Sequence, residues 1–372
     1  MRANAFSIIV AVISLVLVKS THVHQAAFNS SVSETLQKQP LVYFQLSEPI
    51  SFANLSSATL AQLSEFGVFS AQRYLAKLYL VQNKKRDAEL FLAQFMPAWT
   101  AHDQKKFVQW LFDNELTNYL DALPDIATQT GLVKQVLSLQ KGHEIRELPD
   151  FLVDRFSLSL PRYQQSNCIF NVVVLGEDLS SLNHAESLLK SFGENPEPFD
   201  GAYCFSKPTF LNAKAACGLD TQGFATCEFE PDVMRHLNKF DFAIVITKQG
   251  LANVKQKVMT LNKNSNYNVL IHELMHFQGF EDEYPFSKEK AIHRCSTPGL
   301  IAPNLFVGNA KDAPQGWHKS QSCRDGIYNS YRPSEKWTKL EYQAIELSDE
   351  YRQLWINAII HTGSVSPLLS SK

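Results

Sequence analysis

The chain has 372 residues, enough for about two domains, and its 45% hydrophobic and 19% charged content excludes wholesale disorder. The formal net charge is −2 and no long basic run occurs, so electrostatics offers nothing to a nucleic-acid partner.

In chain order, the first feature is the N-terminus, MRANAFSIIVAVISLVLVKSTHVHQAAFNS. Arg2 precedes an almost wholly apolar run over residues 5–18, which Lys19 interrupts. That run has the length of a signal-peptide core and is short of the ~20 residues a bilayer span needs. It predicts a signal segment over 1–26, cut after Ser20 or near Ala26 or Ala27, with an uncleaved N-terminal anchor as the alternative. Either way the body of the chain is expected to be exported: periplasmic, secreted or at the cell surface. No later segment is long and apolar enough to span a membrane. Cys168, Cys204, Cys217, Cys227, Cys295 and Cys323 form an even set, as disulfides require in an exported chain. Pairing Cys217 with Cys227 and Cys295 with Cys323 would each close a short loop, and buried free thiols are the alternative. No CxxC pair occurs, so a cysteine zinc site is not expected.

Residues 27–160 read as an all-α domain. In SAQRYLAKLYLVQNKKRDAELFLAQFMPAW, Leu75, Leu78, Leu80, Leu90, Leu92 and Phe95 recur at helical spacing, and NKKRD reads as a turn between two helices. DQKKFVQWLFDNELTNYLDAL repeats the pattern with Asp103 as its expected N-cap. The polar stretch SLPRYQQSNC, residues 159–168, predicts a boundary, and 161–372 the second domain. There Ile169–Leu175 reads as a buried strand, SLNHAESLLKSFGENPEPF as a helix ending near Gly193, and 241–247 as a second strand. LANVKQKVMTL is read as helical, and NKNSNYN supplies N-caps for the helix that follows. Strand and helix alternate, so the second domain is expected to be mixed, α+β.

The next helix carries the chemistry: NVLIHELMHFQGFEDEYPF, residues 268–286. HELMH sets His272 and His276 at i and i+4, on one face a turn apart, where both imidazoles reach one ion. Glu273 is rotated by about 100° from His272, so it flanks the ion without having to ligate it. Zinc lowers the pKa of a water it holds towards about 7, and an adjacent carboxylate can take that water's proton. The helix is apolar on more than one face, through Val269, Leu270, Ile271, Leu274, Met275, Phe277 and Phe280, and is therefore expected to be buried. Two histidines and a carboxylate in such a helix need polar partners; a metal site meets that need, and a hydrogen-bonded core-histidine network is the alternative. Gly279 suits a helix end at positive φ, after which Asp282 arrives as the expected third ligand. Glu283 and His293 are its rivals, and a solvated acidic loop over Glu281–Glu283 is the other reading of that stretch.

The pattern HExxHxxGxxD resembles the extended zinc motif of the metzincin metallopeptidases, with aspartate where most have a third histidine. HELMHFQGFEDEY is similar to the HExxH–Gly–DEY segment of the IgA-peptidase family of zinc metalloendopeptidases. FNVVVLGEDLS, FGENPEPF and GIYNSYRPSEKW resemble, in the same order, that family's first catalytic strand, the segment before its next strand, and its downstream Tyr-Arg-Pro-Ser region. The resemblance covers roughly residues 168–345 and leaves the helical part aside. It implies a metzincin-like catalytic domain holding one catalytic zinc on His272, His276 and Asp282. Peptide bonds would be hydrolysed through a zinc-bound water with Glu273 as general base. The chain departs from the pattern because no methionine follows Met275, so the segment around Tyr328 to Ser334 is expected to floor the site in place of a methionine turn. Tyr331 in that segment is the preferred oxyanion donor, ahead of Tyr328, Tyr284 and His318.

The expected function is therefore that of an exported zinc metalloendopeptidase acting on a protein or peptide, the substrate extended along an edge strand. The alternatives are a surface binding or scaffold protein with a structural or vestigial zinc site, and a zinc amidase acting on cell-wall peptides. No cysteine precedes residue 168, so a cysteine latch from the helical part is excluded.

Overall fold

The structure, a computed structural model, describes residues 32–46, 50–123, 131–161 and 168–364. The signal-segment reading lies outside them. Among the described residues no helix is long and apolar enough to cross a membrane. The chain divides into two compact units at Leu137/Ser138.

The first unit is helical, as its periodicity predicts: α1 (32–38), α2 (Ser57–Glu65), α3 (Phe69–Val81), α4 (Lys85–Phe95), α5 (Ala101–Asp113) and the start of α6 (Gly131–Lys141). The leucine stripes form its core, with Leu60, Leu63, Leu75 and Leu92 excluded from solvent. The cap of α5 falls earlier than expected. Thr100 accepts the Asp103 N–H at 3.2 Å and donates to the Asp103 carboxylate at 2.8 Å, so Asp103 is the partner of the cap and not the cap itself.

Residues 138–160, expected with the helical domain, belong to the second unit. Ile145 exchanges two hydrogen bonds with the Asn212 side chain, and the Ser157 backbone pairs with Pro208 and Phe210. These backbone ties outweigh the polar, proline-containing stretch that suggested a linker at 160/161.

The second unit is built on a six-stranded sheet: β1 (Phe170–Gly176), β2 (Tyr203–Phe205), β3 (Thr209–Phe210), β6 (Phe242–Thr247), β7 (Asn253–Lys255) and β8 (Val258–Asn262). The order is β2-β1-β6-β8-β7, with β3 also on β1; all pairs are parallel except β7 with β8. Every residue of β1 is buried, as befits a parallel strand covered on both faces. On one face, α7 (Leu179–Glu194), α9 (Tyr267–His276) and α11 (Asp349–Ser364) pack through Leu188, Leu274 and Trp355 onto Val172, Ile244 and Leu261. On the other, α8 (Pro231–Leu237) and the hairpin β4 (Ala215–Leu219)–β5 (Ala225–Phe229) cover Val173, Leu175 and Val245. A smaller antiparallel sheet, β11-β12-β10-β9, follows α10 (Lys288–Arg294); its strands are β9 (Gly299–Ala302), β10 (Leu305–Gly308), β11 (His318–Ser320) and β12 (Asn329–Arg332). The chain thus mixes α and β, as expected.

One expected helix is a hairpin. LANVKQKVMTL forms β7 and β8, joined through Gln256 at φ 57°. β8 lies parallel to β6 with Met259 and Leu261 fully buried, and this pairing overrides the helix formers in the segment.

The six cysteines form three disulfides: Cys168–Cys204, Cys217–Cys227 and Cys295–Cys323. The first ties the entry of β1 to β2, the second crosses the β4–β5 hairpin, and the third holds α10 to the small sheet. Such bonds persist in oxidising surroundings.

Candidate metal centre

The Asn266 side chain caps α9 by accepting the Val269 N–H at 3.2 Å. Leu270, Ile271, Leu274 and Met275 then fasten the helix into the core and bring the polar face of the same turns to the cleft. His272 and Glu273 are each 3% exposed. Gly279 ends the helix at φ 78°, a conformation a side chain disfavours, and the chain folds back over it.

That return does two things. It brings the Phe280 carbonyl to His276, whose Nδ1 donates to it at 2.8 Å, and it delivers Asp282. The Nδ1 of His272 donates to the Lys339 carbonyl at 2.9 Å. With both Nδ1 protons spent on carbonyls, the Nε2 atom of each ring, when the ring is neutral, is left as a lone-pair donor. The two Nε2 atoms lie 3.1 Å apart, and Asp282 Oδ1 lies 3.3 and 3.2 Å from them. Three ligands on one ion at about 2.0–2.1 Å in tetrahedral geometry are separated by about 3.3 Å. Asp282 Oδ1 is buried and meets no well-directed hydrogen-bond donor. Its distances to both rings match those between ligands of one ion, so His272, His276 and Asp282 could hold a metal ion.

The electrostatics point the same way. Burial alone would raise the Asp282 carboxyl, but contact with His272 and His276 holds it far below the usual carboxylate range. Burial pulls His276 down, yet Asp282, Glu273 and the Phe280 carbonyl prevail and push it up to about 9. The pocket therefore favours positive charge where the three ligand atoms meet. Burial raises the Glu273 carboxyl, the two imidazoles pull it back, and Asp282 pushes it up again.

The rival ligands are placed elsewhere. Glu283 is wholly buried, but its oxygens accept from Asn304, Tyr351, Thr338 and Arg332. His293 is an exposed residue of α10 outside the cluster. The acidic triplet is not a solvated loop, because Glu283 is core and Glu281 is paired with Lys290 and Arg294.

Tyr331 sits in β12 opposite Phe306 and Lys319 and is absent from the lining of the cleft; the same holds for Tyr328 and His318. Of the four proposed donors, Tyr284 alone lines the cleft. Its proton is held well beyond the ordinary tyrosine range, first by burial and then by contact with Asp282 and the charges of Glu273 and Glu281. The floor also differs from expectation. The backbone that reaches His272 is that of Lys339, not Tyr328–Ser334: Lys339 gives its carbonyl to the ring, and the neighbouring Leu340 is packed in the core with α9. Nothing in the sequence pattern flags Lys339, because its contribution is a backbone oxygen.

Lys339 also braces the helix with its ammonium, which donates to Asn268 and to the Gln343 carbonyl, each at 3.0 Å. Burial lowers this amine to about 8, against the upward pull of Glu197 and Glu346. Between that value and the ordinary one near 10.4, the unfolded chain holds the proton more tightly, so stability rises with pH there. In Lys339→Met, denaturation of the metal-free protein at pH 8 and pH 10 is expected to lose this rise, on the order of 1 kcal/mol. An unchanged difference between the two pH values would show that the amine is not strained by burial.

The centre opens into a cleft of about 750 Å³ that takes in His272, Glu273, His276, Asp282 and the chain around β7. Comparison of the chain with protein-family models, with curated proteins and with solved structures finds no match, so the reading of this cleft rests on its own residues.

Proposed function

We propose that the chain is an exported zinc-dependent metalloendopeptidase, with zinc held by His272, His276 and Asp282 and with Glu273 as general base. The observation that carries this reading is the convergence of the two Nε2 atoms and Asp282 Oδ1 within 3.3 Å in a cleft that Glu273 also lines. The metal, when bound, supplies Lewis-acid chemistry that activates water and polarises a carbonyl. The rest falls to the protein. Glu273, kept from bulk water and with its carboxyl raised above the ordinary carboxylate range, is a stronger base than a solvated carboxylate, suited to accept a proton and return it to a leaving amine. Tyr284 stays protonated and can donate to a developing oxyanion. Among the described residues β7 pairs with β8 only, and Asn253 and Val254 line the cleft, so its free edge can hydrogen-bond an extended peptide.

The deciding experiment assays the purified protein on casein and on cell-wall fragments, with and without chelator, alongside its zinc content. Chelator-sensitive casein cleavage restored by zinc is expected. Stoichiometric zinc with no hydrolysis of either substrate would leave a structural site, and cleavage of cell-wall fragments alone would make the chain an amidase. Tyr284→Phe is expected to keep its zinc and KM while kcat falls by about 10²-fold; an unchanged kcat would remove Tyr284 from the chemistry.

A further inference from the structure

We propose that the cleft selects its substrate by a carboxylate, received by Lys290 and Arg294 beside the metal centre. The inference rests on the peptidase reading for its consequence, since a group bound there lies next to the bond to be cut. Both cations line the cleft that holds Glu273 and the ligand set. They stand one turn apart on α10, which places them on one face. Their side chains remain 39% and 37% exposed, so both are open to a ligand. Lys290 is further directed by the Phe286 ring, 4.4 Å beneath its ammonium.

Arg294 also donates to the Ile301 carbonyl at 3.4 Å, but two cations exceed what neutralising one carboxylate requires. Glu281 is their partner, with Lys290 at 2.8 Å from one oxygen and Arg294 on the other. Glu281 is itself pinned, because Asn304 bonds both its backbone N–H and its carbonyl. One cation would suffice to neutralise it. In the proposed metal centre Asp282 and the imidazoles would hold the ion, and Lys290 stands 3.9 Å from Asp282 Oδ2. The wall therefore keeps one positive charge in excess, roughly one residue's rise from the ligand set. An incoming carboxylate completes a two-cation, two-anion arrangement, with charge-assisted hydrogen bonds from ammonium and guanidinium. An acidic side chain or a free C-terminus presents the same group.

The test is binding, so it does not depend on turnover. Zinc-loaded Glu273→Ala protein is titrated into labelled short peptides, with one Asp walked along the sequence against its Asn twin, and with the C-terminus free or amidated. At some position the Asp peptide is expected to bind at least about 10-fold tighter than its twin, a preference weakened by salt and lost in Lys290→Gln. A preference for the free over the amidated C-terminus, lost in the same variant, would identify the terminal carboxylate as the source. Arg294→Gln serves as an independent variant, and zinc content confirms that each retains the centre. Equal binding of all twins overturns the inference, as does a preference that survives both substitutions. Casein hydrolysis by the parent is scored separately. Hydrolysis without carboxylate preference removes this inference alone, whereas carboxylate-dependent binding without hydrolysis removes the peptidase reading and leaves the cationic wall standing.

Discussion

Replacing Glu273 with alanine is expected to leave zinc stoichiometry intact and to lower casein hydrolysis by about 10³-fold or more. The carboxylate lines the same cleft as the ligand set but is not needed to complete it, since the two Nε2 atoms and Asp282 Oδ1 already converge. Its removal therefore takes away proton transfer, an effect typically of about 10²–10⁴-fold, without opening the metal site. Stability separates this from simple damage. Burial raises the Glu273 carboxyl, so the folded metal-free protein binds its proton more tightly than the unfolded chain does. The stabilising effect of that proton is fully present below the ordinary carboxylate pKa and is lost as pH rises through the raised value. Above that raised value the buried charge is a burden, and the alanine variant should melt no lower than the parent there. Zinc analysis, a melting curve and an initial rate on one preparation suffice. A variant that hydrolyses casein at the parent rate would sink the general-base assignment.

How far the site could be read in advance depended on whether its parts are local. His272, Glu273 and His276 follow from helical spacing, and Asp282 from a glycine turn six residues on. These four need nothing from the rest of the chain except burial, and the structure brings the three candidate ligand atoms together. The parts that escaped are contributed over long sequence distances. The carbonyl that orients His272 comes from Lys339, 67 residues away, and a carbonyl carries no side-chain signature. The sequence favours Tyr331 because no methionine follows Met275 and the GIYNSYRPSEKW stretch stands where a methionine turn would. In the structure that strand pairs within the small sheet, and the backbone at Lys339, seven residues beyond it, reaches the centre instead. The fold shows the same division. The buried strands β1 and β6 show in β-branched runs, whereas the segment of β7 and β8 carries a helical signal because Lys, Gln, Leu and Met suit a helix in isolation. Pairing with β6 decides that segment, and pairing is a tertiary fact.

Glu283→Ala is expected to be the most destabilising single change at the site, although Glu283 does not point at the metal. Its side chain is wholly buried and gathers donors from four separate parts of the chain. Asn304 donates at 2.8 Å, Tyr351 of α11 and Thr338 each at 2.5 Å, and Arg332 of β12 at 3.3 Å. Burial drives the carboxyl up, and these four donors pull it back. Alanine strands three buried donors and leaves Arg332 with Glu341 as its acidic partner. Removing one member of such a set costs about 3–5 kcal/mol, which in a unit of this size lowers the melting temperature by roughly 10 °C. The same carboxylate fixes the chain one residue beyond Asp282, where the Glu283 N–H also donates to the Leu340 carbonyl at 3.0 Å. Loosening it should weaken zinc by about 10–100-fold, the usual effect of a group that orients a ligand without touching the ion. Asp282→Ala, by contrast, removes a proposed ligand and should abolish stoichiometric zinc, whereas Glu283→Ala only weakens it. Competitive zinc titrations therefore separate the two variants. If Glu283→Ala melts with the parent and binds zinc as tightly, the network does not position the metal centre.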